Sequence, residues 1–175
     1  YYNPLVPAYL FPPSDDINKY VVYEMYNGSR NFKTQNWPYH NMGLGMQNPY
    51  WIVNRNMFNT DRNRNIITLS VKWNITDWMN VIARGRTDHA YMEFERKLYA
   101  STDGLFAKPQ GHWMTQDDKN TSVYLDFLVN IDKKFGEDFR FLANIGGSYY
   151  DEKYKSHTFE GNLVRVPNFF HSSNM

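Results

Sequence analysis

The chain contains no cysteine, which excludes disulfides, thiolate zinc sites and cysteine nucleophiles. It has no apolar run approaching the ~18 residues that a membrane-crossing helix needs, and its mean hydropathy is −0.69. Net charge is almost absent: 19 Lys and Arg stand against 18 Asp and Glu, a formal balance of +1. That balance supplies neither the basic stripe of a nucleic-acid binder nor an acidic surface, so no nucleic-acid partner is expected. The histidines His40, His89, His112, His157 and His171 are scattered, without close pairing or an HExxH pattern, and no metal site is expected. Two carboxylate pairs, Asp117 with Asp118 and Asp151 with Glu152, are adjacent in sequence. Neighbours on a strand face opposite ways, so neither pair converges for acid–base work. No catalytic set emerges, and neither an enzyme nor a bound cofactor is expected. The triplets "NGS", "NIT" and "NTS" match a glycosylation pattern and are read as coincidence, since "NIT" falls at a tight turn.

What the chain has in quantity is aromatic surface. Aromatics make up 18% of its 175 residues, as 14 Tyr, 12 Phe and 5 Trp, while hydrophobic residues total 42%. Hydrophilic on average yet rich in rings is a combination that suits two architectures. One is a transmembrane β-barrel, in which lumen-facing polar residues alternate with lipid-facing ones between aromatic girdles. The other is a soluble, secreted β-sandwich that binds glycans.

Alternation of period two is written clearly into four segments. "IITLSVKWNI" sets Ile67, Leu69, Val71, Trp73 and Ile75 on one face and Thr68, Ser70, Lys72 and Asn74 on the other. After Thr76 and Asp77 the phase resumes, with Met79, Val81, Ala83 and Gly85 against Asn80, Ile82, Arg84, Arg86 and Asp88. So short a connection predicts a hairpin. A second hairpin is predicted around "KKFGED": Val123, Leu125, Phe127, Val129 and Ile131 lead in, and Phe139, Phe141, Ala143, Ile145 and Tyr149 lead out. Each segment holds its alternation for about ten residues, the length of a tilted strand that crosses a bilayer. The connections are unequal, with tight turns at one end and a long loop at about 93–120 at the other, as in outer-membrane barrels.

Residues 1–59 read as a loop region, extracellular in the barrel reading, with a short extended piece at "KYVVYEMY". Of the eight prolines, Pro4, Pro7, Pro12, Pro13, Pro38 and Pro49 fall here, a density that opposes a central strand. Residues 60–175 carry the four strands and a terminal loop.

Several stretches resemble one family. "NPLVPAYLFPP", "NPYWIVNRN", "DRNRNIITLSVKWNITDWMNVIARGRTD", "KLYAST", "DKKFGEDFRFLANIGGS" and "VPNFF", in this order and spacing, look like the barrel of SusC/RagA-type TonB-linked outer-membrane proteins of Bacteroidetes. The resemblance spans nearly the whole chain. It implies an all-β fold of antiparallel up-and-down strands, part of a large transmembrane β-barrel in the bacterial outer membrane. It also implies an internal stretch of a longer chain, with the plug domain and the TonB-engaging segment outside these residues. The activity implied is nutrient import: oligosaccharides or peptides are received with a SusD-like surface lipoprotein and drawn in through the TonB complex.

Two groups of residues are candidates for contact with cargo or partner. Arg84, Arg86 and Asp88 share the polar face, where they either touch plug or cargo or form an ion-pair ladder between strands. Trp37, Tyr50, Trp51 and Trp113 fall in the expected outer loops, where flat rings either stack on sugar faces or pack loop on loop.

Overall fold

The computed structural model describes residues 3–40 and 46–175. The chain is all-β, with antiparallel sheets and few, short helices. Four long strands, β3 (Asn56–Thr76), β4 (Met79–Tyr99), β5 (Gly111–Phe135) and β6 (Phe139–Asn162), form one sheet in the order β3-β4-β5-β6. Each strand therefore pairs with its neighbour in sequence, the up-and-down order that two hairpins predict. The described residues form two compact bodies, one of 61–92 and 117–157, the other of 1–60, 93–116 and 158–175.

The first body holds both tight turns. Gly136 adopts φ 68° in the 136–138 turn, a left-handed conformation that glycine takes without a Cβ penalty. Side-chain bonds from Asn130 to Asn80 (2.8 Å), Arg84 to Asp126 (2.9 Å) and between His89 and Thr121 (3.2 Å) keep β4 and β5 at one constant offset. Bonds from Arg140 to Asp132 (2.7 Å) and Asn120 to Glu152 (2.7 Å) do the same for β5 and β6. No hydrophobic residue of this body is buried among the described residues. Its buried residues among those described are Asp88 and Asp118.

The second body owns the hydrophobic core, in which Trp51, Met46, Ile52, Leu98 and Leu163 are buried. Residues 1–59 are richer in structure than a loop region. They contain α1 (Leu5–Tyr9), the hairpin β1 (Glu24–Asn27) and β2 (Phe32–Gln35), and α2 (Pro49–Arg55). The start of α2 follows from "NPYW". Asn48 caps the helix by accepting a hydrogen bond from the Tyr50 amide (2.9 Å), and Pro49 takes the first helical position, where its missing N–H costs nothing. Asn48 is buried and also donates to the Tyr20 and Asn36 carbonyls at 2.9 and 3.0 Å.

The long loop expected at about 93–120 shrinks to 100–110, because β4 continues to Tyr99 and β5 begins at Gly111. The alternation fails along these added stretches: Arg96 interrupts Phe94 and Leu98 on one face of β4, and both faces of β5 are polar at Thr115, Gln116 and Asp117. A strand without apolar contrast leaves no period-two signal. Gly111, at φ 112°, opens β5 where an added Cβ would come within 2.8 Å of the Leu98 carbonyl oxygen.

Candidate functional site

In the first body the two faces of the sheet differ in kind. On the odd-numbered face Leu69, Trp73 and Ile145 are 68%, 66% and 61% exposed, and Val71, Phe127 and Phe141 are exposed with them. The same phase then turns polar: Asn65, Asn63 and Asp61 in β3, Thr87 and His89 in β4, Thr121, Lys119 and Asp117 in β5, Asp151, Lys153 and Lys155 in β6. The apolar stretch of β3, about nine residues at ~3.3 Å each and tilted by ~40°, spans roughly 23 Å, close to the ~25 Å apolar band of an outer-membrane barrel. A sandwich would cover such a face with a second sheet. The only other sheet among the described residues has two strands of 4 residues each.

The even-numbered face carries a pocket of about 640 Å³. On the β3–β4 side stand Arg62, Arg64, Arg86 and Asp88. Arg64 grips the Asp88 carboxylate through two bonds, Nε at 2.9 Å and a terminal nitrogen at 2.6 Å, and Arg86 reaches the same carboxylate at 3.2 Å. On the β5–β6 side Glu152 accepts from Asn120 at 2.7 Å and from the Tyr150 hydroxyl at 2.8 Å. Tyr124 and Tyr154 also line the pocket. The sheet explains this assembly: strand residues two apart share a face, so the even positions of all four strands converge on one side.

Of the residues singled out from sequence, Arg86 and Asp88 border this pocket, and Arg84 lies on the same face, bonded across the strands to Asp126. An ion-pair ladder is present, in the form Arg64–Asp88 and Arg84–Asp126. The aromatic candidates do not gather into a platform. Trp37 and Trp51 are 3% and 1% exposed, so no ring face is open to a ligand. The Trp51 indole N–H donates to the Thr102 hydroxyl at 3.2 Å, and that hydroxyl donates onward to Asn56 at 3.1 Å. Tyr50 is half-buried in the first turn of α2. Trp113 stands on β5 rather than in a loop, where it donates to Glu95 at 3.0 Å and meets Phe159 edge-on at 6.0 Å. Sequence reading missed Arg62, Arg64, Tyr150 and Glu152 as site residues. Extending the phase of Ser70 and Lys72 backward through "DRNRN" would have placed both arginines on the pocket face.

Elsewhere in the second body, Phe11, Tyr20, Trp37 and Tyr39 form a ring cluster, with Tyr20 and Trp37 centred 5.3 Å apart. Asp15 ties it down by accepting from Lys19, Tyr20 and Tyr39, each at 2.6 Å. These bonds, that from Lys19 foremost, hold the Asp15 carboxyl well below the usual carboxylate range. The Asp15 carboxylate in turn pushes the Tyr39 hydroxyl above the ordinary phenol value. Burial alone would raise Glu24, but bonds from Lys33 and Arg55 outweigh it and keep its pKa low. A smaller pocket of about 430 Å³ lies among Arg30, Gln35, His40 and Asp103. No three His, Asp or Glu side chains converge as a metal site among the described residues. No protein-family model matches the chain and no curated protein matches it.

Proposed function

We propose that these residues form part of the barrel wall of a TonB-dependent outer-membrane importer of SusC/RagA type, taking up oligosaccharides or peptides. The observation that carries this reading is the exposed apolar face of β3–β6, set against a polar, pocket-bearing face on the same strands. A bilayer satisfies such a sheet by solvating one face with lipid while the other lines a hydrated lumen. Four strands cannot close a barrel, and the ~22-stranded transporters enclose a plug. The remaining strands, the plug and the TonB-engaging segment come from other parts of the same protein in this reading, and a SusD-like lipoprotein delivers cargo from outside. The work done is gated passage, with no covalent step assigned to any residue.

Sidedness supplies the test. Both tight turns fall at one end of the strands and the 100–110 link at the other, so in an outer-membrane barrel the turns are periplasmic and the link faces outward. Gly104 has open space around it and Glu137 is exposed in its turn. In the full-length protein on intact cells, Gly104→Cys should react with an impermeant thiol reagent. Glu137→Cys should react only after the outer membrane is opened. Labelling of both sites on intact cells would remove the spanning barrel from consideration.

A further inference from the structure

We infer that the pocket on the polar face is a subsite for an acidic oligosaccharide, one whose sugar ring carries a carboxylate or sulfate. The inference rests on the importer reading and narrows its cargo.

Charge in the pocket is balanced but segregated: Arg62, Arg64, Arg86 and Asp88 stand on the β3–β4 side, and the carboxylates of Asp118 and Glu152 on the other. On the β3–β4 side three guanidinium groups, Arg62, Arg64 and Arg86, surround the single carboxylate of Asp88. Asp88 occupies Nε and one terminal nitrogen of Arg64 and one terminal nitrogen of Arg86. Among the described residues the hydrogen-bond contact of Arg62 is a long one, 3.5 Å, to the Met92 sulfur, a poor acceptor. Three cations around one anion leave this side ready for an anionic group, and guanidinium forks match a planar carboxylate or a sulfate.

The opposite side suits a polyol. The carboxylates of Asp118 and Glu152 stand there, and Glu152, which accepts from Asn120 and from Tyr150, keeps a further lone pair on each oxygen for a sugar hydroxyl. The amide oxygen of Asn120 is buried and accepts nothing. A buried acceptor without a donor is costly, and a sugar hydroxyl is the kind of donor that would satisfy it. Tyr150 and Tyr154 are 60% and 62% exposed, offering ring faces to the C–H face of a pyranose. A volume near 640 Å³ accommodates a ligand of small oligosaccharide size.

The test uses the full-length protein, purified in detergent, with oligogalacturonate as the acidic probe, a neutral gluco-oligosaccharide of equal length and an acidic peptide of equal charge. Calorimetry should show oligogalacturonate binding more tightly than either comparison probe and weakening with salt. Arg62→Gln should reduce its affinity about tenfold, the cost of one charge-assisted contact, while leaving thermal stability and the neutral probe unaffected. Equal binding of the neutral probe, tighter binding of the acidic peptide, or no response to Arg62→Gln would overturn the inference. So would a fall in thermal stability of Arg62→Gln without a change in binding, because Arg62 would then serve another part of the protein. If cysteine labelling supports the spanning barrel while oligogalacturonate fails to bind, the subsite alone is wrong; if labelling opposes the barrel, the importer reading itself falls.

Discussion

Trp51→Ala should destabilise the second body by about 3–5 kcal/mol, the range for removing a large aromatic from a packed interior. The ring is 1% exposed, so truncation opens a cavity that the surrounding side chains fill only in part. It also deprives Thr102 of its indole donor, and Thr102 lies in the 100–110 link. Hydrogen exchange of the α2 amides in the full-length protein would read the loss directly. Trp51→Phe separates the two contributions: it keeps most of the packing and gives up the indole bond, for about 1 kcal/mol from that bond. A Trp51→Ala protein with unchanged exchange and weakened cargo binding would mean that the indole serves a ligand rather than the core.

Val71→Arg should oppose membrane insertion by about 2–4 kcal/mol, the cost of a lipid-facing charge near the bilayer midplane. Val71 sits midway along the apolar stretch Ile67 to Ile75 and its side chain is exposed. Its neighbour Ser70 lies on the pocket face, so Ser70→Arg should cost little, because the added charge stays hydrated. The contrast between adjacent positions is the informative quantity, since a soluble core also suffers from Val71→Arg. It can be measured as the free energy of reversible unfolding from lipid vesicles. Equal penalties at the two positions would mean that the faces do not differ in solvent.

The same contrast explains what could be read from the sequence. Wherever apolar and polar residues alternate, as from Ile67 to Ile75 or Phe139 to Ile145, strand, phase and turn were all legible. Where Arg96 interrupts the apolar face of β4, or where both faces are polar as from Thr115 to Asp117 in β5, the strand continues unseen and a shorter link replaces the expected loop. The 7-residue α2 is too short to show helical periodicity. Burial of Trp37 and Trp51 was not legible, because an isolated ring in a polar segment has no phase to say which way it points. The pocket was half legible: Arg86 and Asp88 stood out beside an apolar face, whereas Arg62 and Arg64 precede the alternating apolar stretch of β3 that starts at Ile67 and so fell outside the alternation that would have placed them.

The central claim is that one face of β3–β6 meets lipid and the other meets water. Nitroxide labels placed singly in the full-length protein, reconstituted in a bilayer, test it most directly. The lipid set is Leu69, Val71, Trp73, Val81, Phe127, Val129, Phe141 and Ile145; Ser70, Lys72 and Asn144 represent the opposite face. Accessibility to oxygen, which concentrates in the bilayer, should be high across the first set, while a water-soluble nickel chelate should reach only the second, with the two reagents alternating along each strand. Protection of the first set from both reagents would contradict the account, because those side chains would then lie in a protein core.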